Sequence, residues 1–206
     1  MNIKTITTVN YGTNCYLIEN ESSALIIDPG EVLPEIVEFA KKNKDKQNKF
    51  ILLTHCHFDH IEGVESVKSI WDAPVVISEK EKEGLIDEKI NLSGIWSKEK
   101  VSINPDITVS DGDVLKVGKD DCKVISTPGH TKGSVCYMFG DILFSGDTLF
   151  RRGIGRTDLP TGDFQMLLKS LRTLSQLDES TIVFSGHGPQ TEIGYELEHN
   201  PYMKLH

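Results

Sequence analysis

A short run of potential metal ligands stands out in the sequence, Thr54-His55-Cys56-His57-Phe58-Asp59-His60. The chain has 7 histidines, and three of them fall within this run. Imidazole and carboxylate groups are the ligands that zinc, iron and manganese accept in proteins. Four such ligands in so short a segment exceed what one ion readily takes from adjacent residues, so the run predicts two metal ions that share it. A solvated helix N-terminus with chance histidines is the alternative, and the specificity of the pattern argues against it.

The spacing within the run predicts which side chains meet. In an extended chain, residues two apart point the same way. We therefore expect His55, His57 and Asp59 to converge on one side, with Cys56 and Phe58 facing the core. The last histidine of the run breaks this parity and joins the group only if the chain turns there. The segment follows an apolar run typical of a buried strand, at the edge where α/β proteins usually bind ligands.

Three further candidate ligands each follow a predicted strand and each stand beside glycine. They are His130 in Thr127-Pro128-Gly129-His130, Asp147 in Ser145-Gly146-Asp147, and His187 in Ser185-Gly186-His187-Gly188. Taken singly, such residues are more often turn formers, surface residues or helix caps. Together they form a specific constellation of strand-end ligands.

The alternation of apolar and polar residues predicts the elements that must position these ligands. We expect strands at Lys4–Val9, Asn14–Ile18, Ala24–Asp28, Phe50–Leu53, Pro74–Ile77, Ile107–Val109, Val114–Val117, Cys122–Ser126, Ser134–Phe139, Ile142–Phe144 and Thr181–Phe184. Helices are expected at Leu33 to about Lys44, from Ile61 to about Trp71, around Phe164, Leu167, Leu168, Leu171 and Leu174 on one face, and at Glu192–His199. Glu79–Asn104 is predicted as helices or a long loop, and Phe150–Pro160 as a loop.

This order of elements predicts two similar halves, each a sheet with helices on one face. Packed sheet to sheet, they give an α/β fold in four layers, helix, sheet, sheet and helix. No linker, low-complexity tract or sequence repeat interrupts the chain, so we expect one domain over residues 1–206.

The composition limits the classes of partner. Lys and Arg number 22 against 31 Asp and Glu, a net charge of −9, which disfavours a nucleic-acid partner. The 4 cysteines form no CxxC pair, and no long apolar segment marks a signal peptide or a membrane span. We expect a soluble, cytoplasmic protein that acts on a small molecule, without membrane contact. Cys15 and Cys136 lie in strand patterns, where burial as small apolar side chains is the expectation.

The ligand set resembles that of the metallo-β-lactamase fold superfamily, and more closely its short bacterial type II glyoxalase branch. The similar segments are Ile26-Ile27-Asp28-Pro29-Gly30, His55 to His60, Thr127 to Thr131, Phe144 to Phe150, Gly155-Arg156-Thr157-Asp158 and Gly186-His187-Gly188-Pro189. The likeness runs from about Asn14 to Pro201 and implies an αββα sandwich. It also implies that His55, His57 and His130 bind one metal, that Asp59, His60 and His187 bind the other, and that Asp147 bridges both. Asp28 would orient the ligand loop, although a plain turn-forming role is an equal alternative.

The resemblance implies hydrolysis of an acyl thioester such as S-lactoylglutathione. Two divalent ions, zinc being expected and iron or manganese the alternatives, would provide hydroxide near neutral pH, held by Asp59. Arg156 is our candidate for binding a substrate carboxylate, against a solvated basic turn. Because 19 residues follow His187, we expect a more open pocket than in longer type II glyoxalases, and glutathione recognition is correspondingly less favoured. β-Lactam hydrolysis is not expected, since no Cys stands at the matching metal position.

Two other activities fit the same residues. A persulfide dioxygenase of this fold would use one iron, here on His55 or His57 with His130 and Asp147. A lactonase would use the full ligand set on an ester. A non-catalytic protein with a vestigial site is a third reading, and the intact set of seven ligands argues against it.

Overall fold

Two six-stranded sheets form the centre of the computed structural model, which describes residues 1–204; the last two residues of the predicted domain lie outside the described part. The first sheet contains, in spatial order, β1 (Asn2–Thr7), β2 (Asn14–Glu19), β3 (Ser23–Ile27), β4 (Asn48–Leu52), β5 (Val75–Ser78) and β6 (Ile107–Val109). Strands β1 to β3 pair antiparallel, whereas β3 to β6 pair parallel. Every residue of β3 is buried, as expected for a strand covered on both faces.

The second sheet is built from the later part of the chain. Its strands are β7 (Val114–Val117), β8 (Asp120–Ser126), β9 (Val135–Phe139), β10 (Ile142–Gly146), β13 (Ile182–Ser185) and β14 (Thr191–Glu192), in the spatial order β14-β13-β10-β9-β8-β7. Only the β10–β13 pair is parallel among the pairs of this sheet in residues 1–204. A separate hairpin joins β11 (Leu149–Phe150) to β12 (Gly153–Ile154).

The helices of the described chain are α1 (Pro34–Lys42), α2 (Phe58–Ile61), α3 (Val64–Trp71), α4 (Lys82–Ile86), α5 (Ser93–Trp96), α6 (Phe164–Leu174) and α7 (Ile193–His199), with a 3-10 turn at Glu79–Glu81. Of these, α1 and α3 pack on the outer face of the first sheet, and α6 and α7 pack on that of the second. The side chain of Asp163 caps α6 by accepting a hydrogen bond from the Met166 amide. No helix within residues 1–204 has the length and apolar character needed to span a bilayer.

Three buried clusters separate the four layers. One packs Ile36, Phe39, Val67 and Trp71 of the helices against Ile26, Ile51 and Val75 of the first sheet. The central cluster joins the two sheets through Tyr16, Leu25, Ile27 and Leu52 on one side and Val124, Tyr137, Phe139 and Phe144 on the other. The third packs Leu171, Leu174 and Ile193 against Cys136, Leu143 and Val183 of the second sheet. The predicted αββα sandwich is confirmed.

Several element predictions need correction. The helix expected from Ile61 to about Trp71 is divided between α2 and α3, because it is interrupted at Gly63, whose amide donates to the Pro29 carbonyl at 2.9 Å. A Cβ at Gly63 would lie 2.6 Å from that oxygen, so only glycine permits this approach. The expected loop Phe150–Pro160 begins in the small hairpin, whereas Glu79–Asn104 contains short helices within a loop, in agreement with its prediction. Phe164, expected on the buried face of α6, is 41% exposed; it is the first residue of the helix and its ring contacts Tyr202.

Candidate metal centre

The seven predicted ligands meet between the two sheets, at the ends of strands. Asp59 and His60 lie in α2, reached from β4 through the loop that carries His55 and His57. His130 follows β8, Asp147 follows β10 and His187 follows β13. This arrangement agrees with the expectation that ligands gather where strands end.

The first group consists of His55, His57 and His130, all buried. Their candidate ligand atoms lie within 4.8 Å of one another, and His57 Nδ1 is 2.9 Å from His130 Nε2. Two of the three rings have a contact outside the group that fixes them: Thr54 Oγ1 lies 3.1 Å from His55 Nδ1, and His130 Nδ1 lies 2.7 Å from the Arg156 carbonyl oxygen. A second contact of this kind sets which nitrogen remains for a metal.

The second group consists of Asp59, His60 and His187, again with candidate ligand atoms within 4.8 Å. His187 Nε2 lies 3.3 Å, and His60 Nε2 lies 3.7 Å, from Asp59 Oδ2. Asp59 lies in this group because α2 begins at Phe58 and turns the chain. The expectation that Asp59 lies near the histidines agrees with the structure, but the extended backbone from which we derived it does not continue past His57. The same turn brings His60 into the site.

Asp147 lies between the two groups. Its Oδ1 is 3.3 Å from His60 Nε2, while its Oδ2 is 3.5 Å from His130 Nε2 and 3.6 Å from His187 Nε2. A carboxylate with its oxygens directed at both groups has the placement of a bridging ligand. Gly186 makes room for it, since a Cβ there would lie 2.2 Å from Asp147 Oδ1.

Unpaired buried atoms show that these residues fit metal ions. His55 Nε2, His57 Nε2, His60 Nε2 and Asp147 Oδ1 are buried without a hydrogen-bond partner within residues 1–204. His60 Nε2 and Asp147 Oδ1 face each other, but not in hydrogen-bond geometry. Burying such atoms unpaired is costly, and coordination of a cation relieves that cost. The donor set of imidazole and carboxylate suits divalent metals.

The electrostatics of the site favour the ligating forms. Burial lowers the pKa of His57 to about 3, so its ring is neutral at pH 7 and offers a lone pair. Burial alone would raise the pKa of Asp147, yet His60, His130 and His187 lower it well below its ordinary value. The carboxylate is therefore ionised at neutral pH.

Asp28 supports the second group. Its Oδ2 lies 3.0 Å from His60 Nδ1 and accepts a hydrogen bond of 2.6 Å from Thr54 Oγ1, while its Oδ1 accepts one of 2.8 Å from the Thr54 amide. Its backbone φ is +50°, a disfavoured conformation that Asp tolerates better than most residues. The structure thus places Asp28 in contact with the ligand loop, and its role in orienting that loop stays a prediction.

Other supporting residues lay outside the sequence prediction. Thr13 Oγ1 donates to Asp59 Oδ2 at 3.1 Å, and the Gly12 carbonyl lies 3.2 Å from His187 Nδ1. Buried Glu81 accepts from the amides of Cys56 at 2.9 Å and Gly133 at 2.7 Å. No local pattern signalled these residues, since their roles depend on contacts between distant segments.

A pocket of about 380 Å³ opens onto the centre. Its lining residues are Asn10, Tyr11, His57, Phe58, Asp59, Leu92, Trp96, His130, Asp147, Arg156, Leu159 and His187. Phe58, expected to face the core, instead lines this pocket, because the start of α2 turns its ring toward Tyr11 at 5.0 Å. Cys56 does face the core, and all four cysteines are buried and unpaired.

Arg156 lies at the rim of the pocket with its guanidinium already paired. Its Nε and Nη2 donate to Asp158 at 2.7 and 2.8 Å. Its backbone carbonyl, not its side chain, contacts the centre through His130. A role for the Arg156 guanidinium in binding a substrate carboxylate stays a prediction and would require exchange of this partner.

The fold and site define a metal-dependent hydrolase of the αββα class, and comparison with known proteins gives the family. The model of the metallo-beta-lactamase superfamily matches residues 9–187, so the chain belongs to that superfamily. The chain is 40% identical over 194 residues to the probable metallo-hydrolase YqgX of Bacillus subtilis, covering 92% of each. It is 33% identical over 211 residues to the hydroxyacylglutathione hydrolase GloC of Haemophilus influenzae, covering 98% of each.

Solved structures of other proteins show the same fold. BLEG-1, described as a B3 metallo-beta-lactamase, is 38% identical with a TM-score of 0.89, over 98% of this chain and 99% of that one. TTHA1623 in a di-iron-bound form is 32% identical with a TM-score of 0.81, over 97% and 99%. ETHE1 from Myxococcus xanthus is 31% identical with a TM-score of 0.76, over 98% and 84%.

Proposed function

We propose that this protein hydrolyses acyl thioesters in the manner of a type II glyoxalase, with two divalent metal ions. The placement of Asp147 carries this proposal, because its carboxylate contacts histidines of both groups within 3.6 Å. A single-ion dioxygenase would also use Asp147 as a ligand, but it would not need the contacts that this carboxylate makes with both groups. The likeness to GloC supports the thioester class. The di-iron form of TTHA1623 supports two ions and makes iron an alternative to zinc.

Bound metal ions would supply hydroxide at neutral pH and would polarise the carbonyl group of the substrate. His55, His57 and His130 would hold one ion, Asp59, His60 and His187 the other, and Asp147 would contact both. Asp59 lines the pocket, and its Oδ2 is engaged by Thr13 and His187. Its Oδ1 is then the acceptor for a proton of the attacking water. The side chains of the pocket lining include no serine or cysteine nucleophile.

Two other activities have specific support. The likeness to ETHE1 favours the persulfide dioxygenase alternative, in which one iron would suffice. Asp59, His60 and His187 would then bind no metal. The likeness to BLEG-1 makes β-lactams a substrate class to test, although the sequence predicted against it. Both alternatives use residues of the same centre.

Metal analysis combined with a substrate panel separates these functions. We expect two divalent ions per chain and hydrolysis of S-lactoylglutathione or a related thioester, with little turnover of a persulfide, a lactone or a β-lactam. One iron per chain with oxygen uptake in the presence of a persulfide would replace the hydrolase with the dioxygenase. A metal-loaded protein that hydrolyses only β-lactams or lactones would reassign the substrate.

A further inference from the structure

Five of the residues that line the pocket are apolar or aromatic. We call this set, Tyr11, Phe58, Leu92, Trp96 and Leu159, the apolar wall. The Phe58 ring centroid lies 5.0 Å from that of Tyr11 and 6.2 Å from that of Trp96. Trp96 remains 49% exposed at the mouth, whereas the other tryptophan, Trp71, is fully buried. A half-exposed indole beside a reaction centre is surface that a bound apolar group would cover.

The charges around the pocket also favour an apolar group over an anionic one. Apart from the metal-ligating residues, Arg156 is the one charged side chain among the lining residues of the described chain, and Asp158 already pairs with it. An anionic substituent would therefore meet no free cation among those residues. An apolar one would meet the rings.

The half-buried carboxylate of Glu62 positions part of the apolar wall. Glu62 accepts from Tyr11 Oη at 2.8 Å and from the Ser97 hydroxyl, so it ties the β1–β2 loop to the end of α5. Leu92 keeps a φ of +70°, held by Asn91, whose side chain accepts from the Ser93 amide and donates to the carbonyls of Gly84 and Val101. These contacts pre-organise the rings before substrate binds.

We propose that the apolar wall is a subsite for an apolar substituent of phenyl or branched-alkyl size, carried by the acyl or the thiol part of the substrate. Glu62 is its positioning residue. The inference rests on the proposed thioesterase function and specifies its substrate class.

Hydrolysis of matched thioesters tests the subsite and identifies the part that occupies it. The acyl arm compares mandeloyl with lactoyl thioesters of glutathione, which differ by phenyl against methyl. The thiol arm compares lactoyl thioesters of benzyl mercaptan and 2-mercaptoethanol. We expect kcat/KM to favour the phenyl member by at least about tenfold in one arm. Trp96→Ala should remove this preference mainly through KM, whereas Ile95→Ala, on the same helix but outside the pocket lining, should keep it.

Fluorescence provides a readout that needs no turnover. Because Trp71 is buried, acrylamide should quench mainly Trp96. S-Benzylglutathione, an unreactive thioether, should reduce that quenching, and S-methylglutathione at the same concentration should not. Tyr11→Phe and Glu62→Ala should each weaken the protection of Trp96 from acrylamide, because both remove the hydrogen bond between Tyr11 and Glu62. Tyr11→Phe keeps the aromatic ring, and its metal content should be unchanged.

The two proposals fail separately. Equal kcat/KM within both arms, or a phenyl preference that survives Trp96→Ala, would overturn the subsite while leaving thioester hydrolysis intact. Protection of Trp96 by the benzyl thioether in a protein that hydrolyses no thioester would support the subsite and reject the proposed function.

Discussion

Asp28 Oδ2 lies 3.0 Å from His60 Nδ1, and this contact leaves the opposite nitrogen of the ring facing Asp147 at 3.3 Å. The same carboxylate receives both the amide and the hydroxyl of Thr54, whose hydroxyl also lies beside His55. One side chain outside the ligand set thus orients a ligand of the second group directly and a ligand of the first through Thr54.

Asp28→Asn should weaken metal binding in the second group and lower hydrolysis by about 10- to 100-fold, because an amide holds the His60 ring less firmly. Isothermal titration with zinc and steady-state kinetics measure both effects. Asp72→Asn is the matched control, since Asp72 also has a positive φ, +46°, but lies exposed at the end of α3. Equal zinc affinity in the two variants would contradict the orienting role.

Gly186→Ala should empty the centre without altering any ligand, because the new methyl group would stand 2.2 Å from Asp147 Oδ1. We expect it to lose metal and turnover nearly as fully as Asp147→Ala. Gly153→Ala, where a Cβ would meet Phe150 only at 3.9 Å, should retain both. Elemental analysis and thioester hydrolysis report the outcome, and wild-type metal content in Gly186→Ala would refute the bridging placement.

His187→Ala should affect metal binding in the second group but not in the first. We expect the His55, His57 and His130 group to keep its ion while the other ion is lost, with kcat reduced more than about 100-fold. A mononuclear dioxygenase would tolerate the change. His199→Ala serves as control, because the contacts of that exposed histidine with Tyr195 and Glu198 stay within α7.

Glu81→Ala should destabilise the protein by about 2–4 kcal/mol, since it leaves the buried amides of Cys56 and Gly133 without a charged acceptor. Because those amides flank the ligands of the first group, zinc affinity should fall as well. Urea unfolding with and without metal measures both effects. Glu83→Ala should change stability by less than about 1 kcal/mol, because Glu83 forms only an exposed pair with Lys132. A loss of the same size in both variants would contradict the bracing role.

Much of the fold and the ligand set could be predicted from the sequence, because short-range patterns encode them. The apolar runs Ala24–Ile27 in β3 and Phe50–Leu52 in β4 predict strands, and ligands that follow strands beside glycine predict a site at strand ends. The direction of Phe58 was predicted wrongly, since the helix beginning there replaces the extended chain on which the parity argument depended.

Contacts between distant segments escaped prediction. The contacts of Glu81 with the amides of Cys56 and Gly133 depend on how loops pack. Glu62 stands next to the ligand run, but its role appears only when Tyr11 and Ser97 are brought to it by the fold. No local pattern of residue types in the sequence predicts contacts of this kind.

Each candidate ligand group takes members from both halves of the molecule. His55, His57, Asp59 and His60 come from the part of the chain that forms the first sheet, and His130, Asp147 and His187 from the part that forms the second. An ion coordinated there would link the two halves, so its affinity would depend on how stably the two sheets pack against each other. Cobalt substituted at the centre would therefore report by its colour the moment in refolding when the two sheets come together.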